Sequence, residues 1–105
     1  MDKDIKKVAV AIIKGDEPRR KRIRRKNATD FDVRVQQAIN KAKIDIDLGN
    51  VTPKVRDELV EMIVRSISES IPWEMIGDTY CCRQSFYNYR NKFIELVAEY
   101  LELTK

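Results

Sequence analysis

Apolar residues recur three and four positions apart along most of this chain, and each recurring stretch begins or ends at a residue that starts or stops a helix. The clearest stretch opens at Thr29, a helix-capping residue, with Asp32 three positions on in the place of the acidic member of a capping box. Phe31, Val35, Ala38, Ile39, Ala42 and Ile46 then mark one helical face, and Gly49 supplies the stop. Thr52-Pro53 restarts a helix, a cap followed by proline at the first helical position. Val55, Leu59, Met62, Ile63 and Ile67 form its buried stripe, which Val60 and Val64 widen, and the polar run Ser66 to Ser70 ends it. Pro72 with Glu74 opens a short helix over Trp73 to Gly77. After a break around Thr79 to Cys82, the spacing predicts a last helix from about Arg83 to near Leu103, with Phe86, Tyr89, Phe93, Leu96, Val97 and Tyr100 on one side.

Ahead of Thr29 the pattern is more open. Ile5, Val8, Ala9, Ile12 and Ile13 stand at helical spacing, although the run from Val8 to Ile13 also suits a short strand; we read it as a helix stopped by Gly15, with Pro18 beyond its end. From Arg19 to Lys26 seven of eight residues are basic, interrupted only by Ile23. A block of like charge repels itself, so it is expected to be an extended or frayed arm in the absence of a partner.

The chain is short enough for one small core at 105 residues, and with only three glycines and three prolines it lacks the turn residues of a β-sandwich. The fold class expected is all-α: a small helical bundle with a C-terminal helix-turn-helix and a long last helix. Residues 1–28 form an N-terminal segment carrying the basic arm at 19–26, and residues 29–105 form a helical domain with the helix-turn-helix at about 72–103.

Several functions are excluded by residue type. With no histidine, a Ser/His/Asp triad and a Cys/His pair are absent, and the only two cysteines, the adjacent Cys81 and Cys82, cannot close a structural zinc site or staple distant segments. They read as reduced thiols filling the turn, with redox sensing as the lesser option. Gly15, Gly49 and Gly77 are too scattered for a phosphate loop or a dinucleotide fingerprint. The chain reads as a non-enzyme with no cofactor. No apolar run spans a bilayer and no secretory signal is visible, so the expected location is the cytoplasm.

Charge is unevenly placed. Residues 1–50 carry 14 basic and 8 acidic residues, and residues 51–105 carry 7 and 9. That asymmetry points to a polyanion as partner for the first half, with Arg19, Arg20, Lys21, Arg22, Arg24, Arg25 and Lys26 at its phosphates. If six to eight phosphates are neutralised, log K on duplex DNA should fall against log salt with a slope of roughly −5 to −7.

The last helix offers the second half of such an interface. Its first turns hold Arg83, Gln84, Ser85, Tyr87, Asn88, Arg90, Asn91 and Lys92, donors and acceptors suited to base edges and phosphates, whereas further along the outward residues become Glu95, Glu99 and Glu102. Only the N-terminal part of this helix can therefore approach DNA, as in a helix-turn-helix. Gln84, Asn88 and Asn91 share one face at i, i+4 and i+7. Tyr89 is expected to bury its ring, Tyr87 to face outward, and Trp73 to anchor a helix start.

The segment Ile71-Pro72-Trp73-Glu74-Met75-Ile76-Gly77, then Cys82-Arg83-Gln84-Ser85-Phe86-Tyr87-Asn88-Tyr89-Arg90 and Phe93-Ile94-Glu95-Leu96-Val97-Ala98, resembles the C-terminal part of small phage and prophage transcriptional regulators with a sigma-region-4-like helix-turn-helix. The resemblance covers roughly a third of the chain, and the Ser-Phe-Tyr-x-Tyr-Arg core is its most specific piece. It implies a DNA-binding regulator of phage genes with Arg83, Gln84, Tyr87, Asn88 and Arg90 at the positions that meet DNA. The turn departs from the family pattern: Tyr80-Cys81-Cys82 stands where a glycine and a Ser/Thr cap are usual, and the spacing is about one residue shorter. The expected partner is double-stranded DNA, bound by a homodimer. The alternatives are RNA bound by the arginine-rich block, and a host transcription or defence protein inhibited by the same charged surfaces.

Overall fold

The computed structural model describes residues 3–49, 51–76 and 81–102. Among them the chain is all-α, with six helices and no strand: α1 (Lys3–Lys14), α2 (Asp16–Arg24), α3 (Asp30–Asp45), α4 (Pro53–Ser68), α5 (Trp73–Ile76) and α6 (Arg83–Tyr100). The expected turn at Gly77, Thr79 and Tyr80, and the expected end near Leu103, lie outside the described residues.

The two middle helices begin where local chemistry starts them. At α3 the Asp32 backbone N–H donates to Thr29 Oγ1 at 3.1 Å and the Thr29 N–H donates to the Asp32 carboxylate at 3.2 Å, a reciprocal capping box. At α4 the Val55 N–H donates to Thr52 Oγ1 at 3.3 Å, with Pro53 at the first helical position. Removing either threonine hydroxyl strands a helix-end donor.

One core joins α1, α3, α4 and α6. Ala9 and Ile13 of α1 are fully buried with Val35, Ile39, Leu59, Ile63, Ile67, Phe86, Phe93 and Val97. The first helix thus belongs to the same core as residues 29–102. Val55, Met62, Tyr89, Leu96 and Tyr100 are only half-buried along its rim. Phe31, expected on the buried face of α3, is instead 59% exposed, because among the described residues no element covers the stripe one turn before Val35. The α3 helix also stops earlier than Gly49: Ile46 and Leu48 are buried from the loop that follows. Arg56 secures this end, donating to the carbonyls of Lys43, Ile44 and Ile46 at 2.9, 2.7 and 3.1 Å. Gly49 itself has φ +78°, a left-handed conformation that follows an Asp47 side-chain turn.

The basic block is the main departure from expectation: it is helical, not extended. Gly15 separates α1 from α2 by a single residue, and Pro18 sits in the first turn of α2, where a missing N–H leaves no bond unmade. Arg19 is buried to 4% exposure and donates from Nη2 to the Ile12 carbonyl at 2.7 Å, so its charge meets the C-terminal end of α1. Arg22 grips Asp32 with two bonds, Nε to Oδ2 at 2.9 Å and Nη2 to Oδ1 at 2.8 Å. Beyond the helix, Lys26 adopts φ +59°, and the Lys26 and Asn27 N–H groups donate to Ile23 and Arg22, closing the end with backbone bonds. Tertiary partners hold Arg19 and Arg22 among these charges, and α2 survives its self-repulsion.

Asp32 is the joint between capping box and ion pair. The Arg22 guanidinium, then the Thr29 N–H, hold its carboxyl well below the usual carboxylate range. A carboxyl lowered in the folded state contributes stability that is present above the unfolded value of about 3.9 and lost as pH falls through the folded value. Asp32→Asn should therefore be less stable than the parent at neutral pH, and the gap should narrow in denaturant melts below about pH 4. A gap that stays constant down to strong acid would show that the carboxylate charge contributes nothing.

Candidate nucleic-acid interface

The Ser66 hydroxyl, fully buried, donates to the Ile71 carbonyl at 2.7 Å and turns the chain out of α4 into α5. Ile76 of α5 is buried, and Trp73 packs half-buried against the core as an anchor. The Trp73 N–H donates to the Tyr87 hydroxyl at 3.2 Å, tying the start of α5 to α6. Tyr87, expected to face outward, is therefore half-buried, its ring edge-on to Phe86 at 6.0 Å.

The structure divides the sequence-predicted residues of α6 into two groups. Gln84, Asn88 and Asn91 are exposed on one face. Ser85, Asn88, Tyr89, Asn91, Lys92 and Glu95 line a shallow open depression along it. The second group lies on the α5 side, where the guanidinium groups of Arg83 and Arg90 stand 5.7 and 5.8 Å from the Tyr87 ring centre. Arg83 also pairs with Glu74 of α5 at 3.4 Å while remaining about two-thirds exposed. Arg90 is half-buried. Gln84, Asn88 and Asn91 thus present amides outward, while Arg83 and Tyr87 tie α5 to α6 and Arg90 stands over the Tyr87 ring.

The seven basic residues of the block divide as well. Arg19 is buried and cannot meet a ligand, and Arg22 is held by Asp32; both correct the expectation of a free arm. Arg20, Lys21, Arg24, Arg25 and Lys26 are exposed. Arg20 and Arg24 line a groove opposite Asp57, Glu58 and Glu61 of α4, so acidic residues share that surface. No family model, curated protein or solved structure matches the chain.

Cys82 occupies the residue before α6 and is exposed, not a filler of the turn; Cys81 is half-buried, and the two are not joined in a disulfide. The Ser85 hydroxyl, 3.3 Å away, and the first backbone N–H groups of α6 hold the Cys82 thiol below its ordinary value. Among the described residues no cluster of acidic and cysteine side chains is arranged to hold a metal ion, and no helix is long and apolar enough to cross a membrane.

One neighbour of the amide face was missed by reading the sequence. Lys6 of α1 donates from Nζ to Asn91 Oδ1 at 3.2 Å. The helical spacing of the α1 lysines was visible in the sequence, but nothing there links position 6 to position 91.

Proposed function

We propose that this protein is a double-stranded DNA-binding transcriptional regulator of the phage or prophage type, reading the major groove with the N-terminal half of α6. The observation that carries the reading is the exposed row Gln84, Asn88 and Asn91, bordered by Lys92 and followed by Glu95 and Glu99. Asparagine and glutamine offer a donor and an acceptor together, which matches the adenine edge, and glutamates beyond them keep phosphates to the first turns. The succession of α4, a four-residue α5 and an 18-residue α6 agrees with a helix-turn-helix in which the last helix does the reading. The resemblance of residues 71–98 to small phage regulators points the same way.

The RNA alternative is weakened by the packing of α2. A block that folds only upon RNA would be free beforehand, whereas Arg19 and Arg22 already have protein partners. A homodimer suits a single reading helix, which covers few base pairs.

With Arg19 and Arg22 engaged, the number of phosphates neutralised by the block falls to about four to six, and the salt slope on duplex DNA should be at least as steep as about −4 to −5. Fluorescence titration of a labelled duplex at several salt concentrations measures it, after enrichment of a site from a random duplex pool. A slope near zero, with no sequence enriched, would overturn the proposal in favour of a protein partner.

A further inference from the structure

We infer that α1 is a phosphate-binding surface alongside the reading helix, with Lys3, Lys6 and Lys7 as its contacts; this rests on the DNA-binding reading above. Most apolar residues of α1 turn inward, with Ala9 and Ile13 fully buried and Ile5 and Ile12 half-buried, whereas Val8, expected on that stripe, is 48% exposed. The opposite stripe is formed by Lys3, Lys6, Lys7, Val10, Ala11 and Lys14, whose side chains line one open surface.

Two observations make that stripe part of the α6 face. The Lys6 ammonium sits 3.2 Å from the Asn91 amide oxygen, and Lys6, Asn91, Ile94 and Glu95 line a small depression where the helices meet. A duplex whose groove receives Asn88 and Asn91 brings its flanking backbone to the neighbouring helix, and that helix offers ammonium groups. Charge supports the assignment independently. Lys3 and Lys7 stand at i, i+4 and Lys3 and Lys6 at i, i+3, spacings at which like charges disfavour a helix. Among the described residues no carboxylate forms an ion pair with any of these lysines. Against a polyanion this repulsion is relieved, because the lysines take the place of counterions condensed on its backbone.

An anionic lipid surface is the competing ligand for an amphipathic basic helix. It is disfavoured because Ile5, Ala9, Ile12 and Ile13 of α1 are committed to the protein core, leaving only Val8, Val10 and Ala11 to enter a bilayer.

The test uses the full chain and a Lys3→Gln/Lys6→Gln/Lys7→Gln variant, with Lys3→Arg/Lys6→Arg/Lys7→Arg as the charge-keeping control, titrated into a selected duplex and a random duplex. All positions are exposed and their mutual repulsion disfavours the helix, so helix content and urea midpoint of the glutamine variant should not fall below those of the parent. The glutamine variant should bind both duplexes at least about tenfold more weakly, with a salt slope shallower by about 2 to 3, and the arginine variant should bind like the parent. A parent that binds duplex and a glutamine variant with unchanged affinity and slope would overturn this inference while leaving α6 as the reading helix. A parent that binds no duplex would remove both. Sedimentation with phosphatidylglycerol vesicles in preference to duplex would assign the stripe to lipid instead.

Discussion

Phe93→Ala is expected to lower the stability of the protein by about 3–5 kcal/mol, and Phe86→Ala by a similar amount. Both rings are fully buried, on the side of α6 that faces α1, α3 and α4. Removing either takes away its transfer free energy and leaves a cavity bounded by helices that cannot collapse fully onto it. For a domain of this size, with total stability of about 5–15 kcal/mol, such a loss is a large fraction of the whole. In urea the midpoint should drop by more than about 1 M, given slopes of about 1–3 kcal/mol per molar. The two variants differ in a further respect. Phe86 supports the Tyr87 ring, whose hydroxyl accepts from Trp73, so Phe86→Ala should also loosen α5 and weaken DNA binding below its melting range. A shift worth less than about 1 kcal/mol for both variants would mean that this face of α6 is not inside the protein.

Alanine at Asn88 or Gln84 is expected to weaken binding to a selected duplex by about 1–3 kcal/mol and to change random duplex much less. The asymmetry follows from what each contact carries: an amide paired with a base edge loses its partner on the wrong sequence, whereas a phosphate contact is the same everywhere. Arg24→Ala or Arg25→Ala on α2 should accordingly weaken selected and random duplex about equally. Both side chains are exposed at the end of that helix. Arg83 and Arg90 form a separate class, since each stands over the Tyr87 ring and Arg83 also pairs with Glu74. Replacing them should affect both duplexes through the position of α6 as well as through any direct contact. Competition of each variant between selected and random duplex separates the classes. Should Gln84, Asn88 and Asn91 variants all keep the preference of the parent, α6 is not the reading element and the DNA-binding proposal loses its main support.

The starts of α3 and α4 were legible in the sequence because a cap acts within three residues: Thr29 with Asp32, and Thr52 with Val55, need nothing from the rest of the chain. The buried stripes of α4 and α6 were largely legible for a related reason, since helical period alone brings Leu59, Ile63 and Ile67, or Phe86, Phe93 and Val97, to one side. Period says which residues share a face, but not whether another element covers it. Val35 is fully buried and Phe31, one turn earlier, is largely exposed. The same limit governs charge. Seven basic residues in eight read as a self-repelling arm, yet Arg19 finds the end of α1 and Arg22 finds Asp32, and these partners decide for a helix. On α6 the sequence determined the set of polar residues, and tertiary structure divided it, turning Tyr87 toward α5 and bringing Lys6 to Asn91 across 85 positions of chain. Local bonding and helical period are properties of a few neighbouring residues; coverage and ion pairing depend on which distant helix packs alongside.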